Sequence, residues 1–283
     1  MRPLQAILLP IDFSAAGAAM APVAAGIARR FGARVTVLHV FDLAPDYAAP
    51  PHPRSHHAAA VEAPPYTAEL LEIRGERHRQ LLAFTGTHFA DVPHTAIIAD
   101  GNPATVIEWA AREEHSDLIA MATSGHGKFR HLALGSVTAR LLHDTRVPVL
   151  TTAHASTPPH GAFHSVVCAV ETNREARNIL DAGCLFAQTY GARLCVVHVE
   201  AAPSTETALG RVREIMSRYG DVGASAMIRV LDSAVPRGVH QAALDRDADL
   251  LVVGRGHESD GLSRLWSPLY TLIRESPCPV LAV

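Results

Sequence analysis

Along the first half of the chain, short unbroken apolar runs alternate with longer stretches in which apolar positions return every three or four residues. The runs 6–9, 34–40, 94–99, 117–122 and 147–151 have the length and composition of buried strands. Between them, 14–31, 67–89, 103–115 and 136–144 carry helical spacing. Strands that read as near-continuous Val, Ile and Leu alternate with helices only when a parallel sheet is covered on both faces. Right-handed crossovers then predict an α/β, doubly wound open sheet. In such sheets ligands sit beyond the carboxyl ends of the strands, where the strand order reverses. Asp12, just after the first strand, and the loop from Gly125 to Gly135, after the fourth, both fall at that place.

The pattern occurs twice. Phe31-Gly32-Ala33-Arg34 is matched by Tyr190-Gly191-Ala192-Arg193, Leu38-His39-Val40 by Val197-His198-Val199, and Val147-Pro148-Val149-Leu150 by Cys278-Pro279-Val280-Leu281. The first copy is longer chiefly because of an extra middle segment, 42–66. Two domains of roughly 150 and 130 residues fit ordinary domain size. The expected division is 1–153 and 162–283, with a Ser/Pro/His/Gly-containing linker at 154–161.

The loop after the fourth strand is the strongest candidate for chemistry. Gly125, Gly127 and Gly135 lead into Ser136 and a helical pattern through Val137, Leu141 and Leu142. A strand that feeds a glycine-bearing loop ending at a helix N-terminus presents unpartnered N–H groups and a favourable dipole to an anion. The glycines supply close backbone approach and, where needed, positive φ. The competing reading is an ordinary solvated loop. Gly125-His126-Gly127 is only part of a dinucleotide fingerprint, because Arg130 stands where its third glycine belongs, and the chain contains no G-x-S-x-G elbow.

Taken together, these segments resemble a tandem universal stress protein. The family motif G-x2-G-x9-G-[ST] is met by Ala122-x2-Gly125-x9-Gly135-Ser136, joined by Pro10-Ile11-Asp12-Phe13-Ser14, Leu38-His39-Val40 and Gly101-Asn102-Pro103. The resemblance implies two five-stranded sheets of order 3-2-1-4-5, Rossmann-like in the manner of the adenine nucleotide alpha hydrolases. It also implies an ATP site, with or without Mg. Pro10, Asp12 and Val40 would hold the adenosine and Gly125, Gly135, Ser136 and Val137 the phosphates, with Ile11, Met121, Ala122, His126 and Thr138 also in the cofactor site. Ala122 departs from the family by replacing the first motif glycine.

Composition limits the alternatives. Hydrophobic residues make up 48% and charged ones 19%, enough for real cores. No apolar run approaches the roughly 20 residues of a membrane-crossing helix, and the first apolar run, ending before Asp12, is too short for a secretory leader. A cytoplasmic protein is expected. A net charge of −3 gives no footprint for nucleic acid. Cys168, Cys184, Cys195 and Cys278 lie in apolar runs without C-x-x-C spacing, which points to reduced core thiols.

Histidine is abundant, with 17 copies. His52, His56 and His57 form either a transient metal site or part of a polar, proline-rich loop with no carboxylate or cysteine to complete a regular site. His39 and His198 end equivalent strands, and both a shared structural role and proton transfer fit that position. Asp12 is read equally as a cap of the first helix and as a ribose ligand until the family resemblance favours the ligand.

Three functions follow. The first is a stress-response protein that binds ATP without fast turnover and is not an enzyme. The second is a slow ATPase, which would need a positioned water, a base and carboxylate-held metal. The third is an interaction module without nucleotide. The second copy is expected not to bind: Trp266, Ser267 and Pro268 stand opposite Gly135, Ser136 and Val137, Glu171 opposite Asp12, and Glu258 and Asp260 replace Lys128 and Arg130. The apolar strands near 147–151 and 278–283 are expected to self-associate by their edges, within the chain as a pseudo-dimer and between chains as a homodimer.

Overall fold

The computed structural model describes residues 3–41, 67–123, 134–152, 162–171, 176–200, 205–255 and 268–283. In the first half, strands β1 (Ala6–Pro10), β2 (Arg34–Phe41), β3 (His94–Asp100), β4 (Leu118–Ala122) and β5 (Val149–Thr152) alternate with helices α1 (Ala15–Phe31), α2 (Ala68–His88), α3 (Pro103–Glu113) and α4 (Ser136–Asp144). The second half repeats the order with β6 (Ser165–Ala169), α5 (Ala176–Tyr190), β7 (Arg193–Val199), α6 (Thr205–Met216), α7 (Gly220–Ser225), β8 (Met227–Leu231), α8 (Val235–Asp245), β9 (Leu250–Val253), α9 (Pro268–Glu275) and β10 (Val280–Ala282).

The strands form one sheet in the order β3-β2-β1-β4-β5-β10-β9-β6-β7-β8. Each half therefore carries the order 3-2-1-4-5, parallel throughout. The two five-stranded sheets meet along the edges expected to associate within the chain. Antiparallel pairing of Val280, Leu281 and Ala282 with Thr151, Leu150 and Val149 fuses them into a single ten-stranded sheet. An edge strand left open presents unpaired N–H and C=O groups; here β5 and β10 close each other's edge inside one chain.

Alternation along the strands explains the three layers. Ile7 and Leu9 of β1 face α1, whereas Leu8 belongs to a second cluster with Val106, Ile107 and Leu141 of α3 and α4. Each cluster continues into the other half, to Val166 and Leu180 on one face and to Val167 and Ile273 on the other. Local chemistry sets the helix ends. The Ser14 hydroxyl accepts from the Gly17 N–H at 3.0 Å, and α1 stops at Gly32, whose φ of 68° places it in the left-handed region that favours glycine. Gly191 repeats this with φ 64°.

A second seam between the halves runs along α1 and α5. Phe31 lies 5.4 Å from Phe186 and 6.1 Å from Tyr190, ring centre to ring centre, and Phe163 packs on both partners. Arg30 covers the seam, donating from Nε to the Thr189 carbonyl at 2.6 Å with its guanidinium 5.6 Å from the Tyr190 ring. All four cysteines are buried and free, as their apolar surroundings predicted.

Candidate functional site

The carboxyl ends of β2, β1 and β4 lie side by side, and the strand order reverses between β1 and β4. Pro10 and Val40 are half-buried there, Asp12 is exposed, and Ala122 is half-buried at the tip of β4. Directly beyond, α4 begins. Gly135 donates its N–H to the Thr123 carbonyl at 2.7 Å, and the Thr138 hydroxyl donates to the Ala122 carbonyl at 3.1 Å. These two bonds pin the first turn of α4 against the end of β4.

That first turn has no side-chain cap among the described residues. Gly135 is the N-cap and supplies no side chain to accept from the N–H groups of the turn. At the start of a helix such groups lack partners and the dipole is positive. Ser136 is exposed and Val137 half-buried, while Thr138 is buried. The structure corrects one expectation here. Gly135 has φ −61° and ψ 144°, a conformation open to any residue, so its glycine matters for close approach and not for a left-handed backbone.

Asp12 braces the turn at the rim of the crevice. Its Oδ1 accepts from the Ser14 N–H at 2.9 Å, whereas the N-cap of α1 is Ser14 itself. The cap reading of Asp12 is thus replaced by a turn-bracing role that leaves the carboxylate at the surface. Two other site residues lie behind the crevice wall. Met121 is 6% exposed and packs in the core, and so does Ile11 at 5%, whose N–H donates to Leu38 and whose carbonyl faces His39. Gly125 and His126 lie outside the described residues, as do Lys128, Arg130, Trp266 and the loop carrying His52, His56 and His57.

His39 is structural. Its Nδ1 lies 2.9 Å from the Ile11 carbonyl, so that nitrogen carries the proton and ties β2 to the chain leaving β1. Burial, first, and the nearby Arg77 cation push its pKa below the ordinary histidine value, against the Ile11 carbonyl and Asp12, which pull it up. His198 repeats the bond to the Val170 carbonyl at 2.9 Å.

Phe13 and Arg77 complete this corner, and sequence reasoning missed both. Phe13 has φ 59°, rare for a bulky residue and a form of backbone strain that concentrates at functional sites. Its ring lies 4.7 Å from His39, with the Arg77 guanidinium 5.6 Å away. The short Asp12-Phe13-Ser14 step between a strand and an N-cap was the available signal for the first. Arg77 comes from α2, and no local pattern ties it to β1.

With this geometry in view, the comparisons are decisive about kinship. The model of the universal stress protein family matches residues 3–152 and again 162–283. A universal stress protein of Thermus aquaticus is 33% identical over 148 residues, 51% of this chain and 95% of that protein. The crystal structure of a universal stress protein from Archaeoglobus fulgidus superposes with a TM-score of 0.77 at 21% identity, covering 98% of this chain and 97% of that one. A structure from Pseudomonas aeruginosa described as a putative universal stress protein gives 0.63 at 17% identity, covering 99% and 93%. The chain belongs to the universal stress protein family, with two copies of its domain in tandem.

Proposed function

We propose that this protein binds ATP at the crevice of its first half and acts as a stress-response protein without fast turnover. The second half is its non-binding partner, in domains bounded at 1–153 and 162–283. The observation that carries the reading is the open N-terminus of α4, pinned to the end of β4 and facing the same crevice as Asp12. Phosphate oxygens fit the N–H groups of Ser136, Val137 and Thr138. Asp12 is placed to accept from ribose hydroxyls, and half-buried Pro10 and Val40 offer apolar contact to a base.

Binding is favoured over hydrolysis by what the carboxylates already do. Asp12 accepts from Ser14, and Asp100, at the end of β3, is ion-paired with Arg74. Among the described residues no group of three or more histidines, cysteines or carboxylates is placed to hold a metal ion.

Calorimetric titration of the intact chain with ATP tests this, supported by mass spectrometry of small molecules released from the purified protein. Gly135→Leu is the informative variant, because the backbone at Gly135 accepts a side chain without strain. Its circular dichroism should match the parent while ATP affinity falls about a hundredfold or more, the scale of losing charged hydrogen bonds to a phosphate. Undiminished binding by this variant places the nucleotide elsewhere, and no binding by the parent removes the proposal.

A further inference from the structure

Arg255 follows the end of β9 in the second half, yet its side chain reaches into the first. The guanidinium donates from Nη1 to the Thr145 carbonyl and from Nη2 to the Val147 carbonyl, and at 3.2 Å to the Ala282 carbonyl of β10. Its own N–H donates to Val283 at 3.3 Å. Thr145 is the C-cap of α4, and Val147 belongs to the link into β5. No carboxylate among the described residues pairs with this cation, and burial alone pulls its pKa down to about 10, so it stays charged at neutral pH. A charge removed from water needs compensation. Here it comes from backbone carbonyls at the negative end of a helix dipole, the end a cation stabilises.

The equivalent position in the first half behaves differently. Ala6 pairs with Arg34 as Ser165 pairs with Arg193, and Ile7 sits beside Leu118 as Val166 sits beside Leu250. This register makes Gly254 the counterpart of Ala122 and Arg255 the counterpart of Thr123. The Thr123 hydroxyl donates to Thr152 at 3.0 Å, a bond between neighbouring strands of one half. Where the first half uses that local bond, the second half extends a cationic arm across the seam.

We propose that Arg255 is a positioning residue for the nucleotide site: the second half uses it to clamp the carbonyl end of α4, and so fixes the N–H end of the same helix against the crevice. This rests on the ATP site proposed above. The helix is short, nine residues, and its N-terminal end is already tied by Gly135 and Thr138. Holding both ends leaves a rigid rod whose free N–H groups point at one place, and preorganisation of that kind raises affinity without a new ligand contact. The Tyr270 hydroxyl of α9, donating to the Ala139 carbonyl at 3.3 Å, gives the same helix a second contact with the second half.

Two measurements on the intact chain separate this proposal from the binding site it serves. The first is hydrogen exchange of the α4 amides without nucleotide, and the second is calorimetric ATP affinity. Arg255→Ala should speed exchange through α4 and weaken ATP about tenfold, within the range seen for residues that couple to a ligand they do not touch. Arg255→Lys, which keeps the cation but not the fork, should fall between, and it serves if the alanine variant does not fold. Arg30→Ala, which removes a contact of the α1–α5 seam away from α4, should lower the melting temperature and leave both α4 exchange and ATP affinity unchanged. Unaltered α4 exchange in both Arg255 variants, or ATP affinity equal to the parent, overturns the proposal. So does an equal loss of affinity in Arg30→Ala, which would make Arg255 one stabilising contact among others. If the parent binds no ATP, the nucleotide reading fails by itself, and the clamp on α4 then stands or falls on exchange alone.

Discussion

At the residue scale, His39 links burial to pH response. In the folded chain its pKa is depressed, first by burial and then by Arg77, while the unfolded value is about 6.5. As pH falls the unfolded state takes up the proton first. The stability held by neutral His39 is therefore full above pH about 6.5 and is lost as pH drops through the folded value. His39→Asn retains an N–H donor toward the Ile11 carbonyl but cannot titrate. It should be less stable than the parent at pH 7, because an aromatic contact with Phe13 is lost, yet show a shallower decline in melting temperature between pH 7 and pH 5. Calorimetric scans across that interval decide it, and parallel slopes would show that other groups carry the acid response. This residue also marks what the sequence conveys. The twin Leu38-His39-Val40 and Val197-His198-Val199 segments announced a shared role, but only the carbonyl 2.9 Å from each Nδ1 distinguishes a structural tie from proton transfer.

At the element scale, α5 packs tightly on β6 at Gly183. A methyl group built on Gly183 would lie 2.0 Å from the Cys168 sulfur, which is fully buried beneath it. The glycine therefore sets how near α5 comes to the sheet. Gly183→Ala should cost about 1–3 kcal/mol, the range for overpacking a tight core, despite the better helix propensity of alanine. Cys168→Ala together with Gly183→Ala should recover most of the loss, because the clashing atom is gone. Melting curves of the two single variants and the double measure this as a cycle, and additive losses would show that the contact is not the cause. Strand and helix positions were legible because they depend on nearest neighbours: β1, β3 and α4 fall within two residues of the runs read from periodicity. Contacts between distant segments were not. Arg77 against Phe13 and Arg255 against Thr145 join elements that no local spacing connects, the latter 110 residues apart. Met121 and Ile11 likewise belong to the right segments, but their burial depends on which face of the sheet each residue takes.

At the scale of the whole molecule, one chain makes for itself the paired arrangement of two similar domains. The β5–β10 edge, the Phe31–Phe186–Tyr190 seam and Arg255 all join the halves, and both hydrophobic clusters run through them. The second copy differs from the first at the positions that matter to the proposed site. Pro268, the first residue of α9, has no N–H, whereas Val137 offers one at the matching point of α4. Glu171 stands in the place of Asp12, and the chain after β9 has committed Arg255 to the seam. The register shows a further exchange: Gly254 supplies the first motif glycine that Ala122 lacks. In sequence, Trp266 and Ser267 fall opposite Gly135 and Ser136, and Glu258 and Asp260 opposite Lys128 and Arg130, an exchange of basic for acidic residues. We therefore expect one ATP for each chain. Calorimetry of the intact protein should give a stoichiometry near one, and Gly135→Leu should reduce it to none within the same concentration range. Two equivalents bound to the parent, or one retained by Gly135→Leu, would mean that the second half has kept a nucleotide site despite the missing N–H and the added carboxylates.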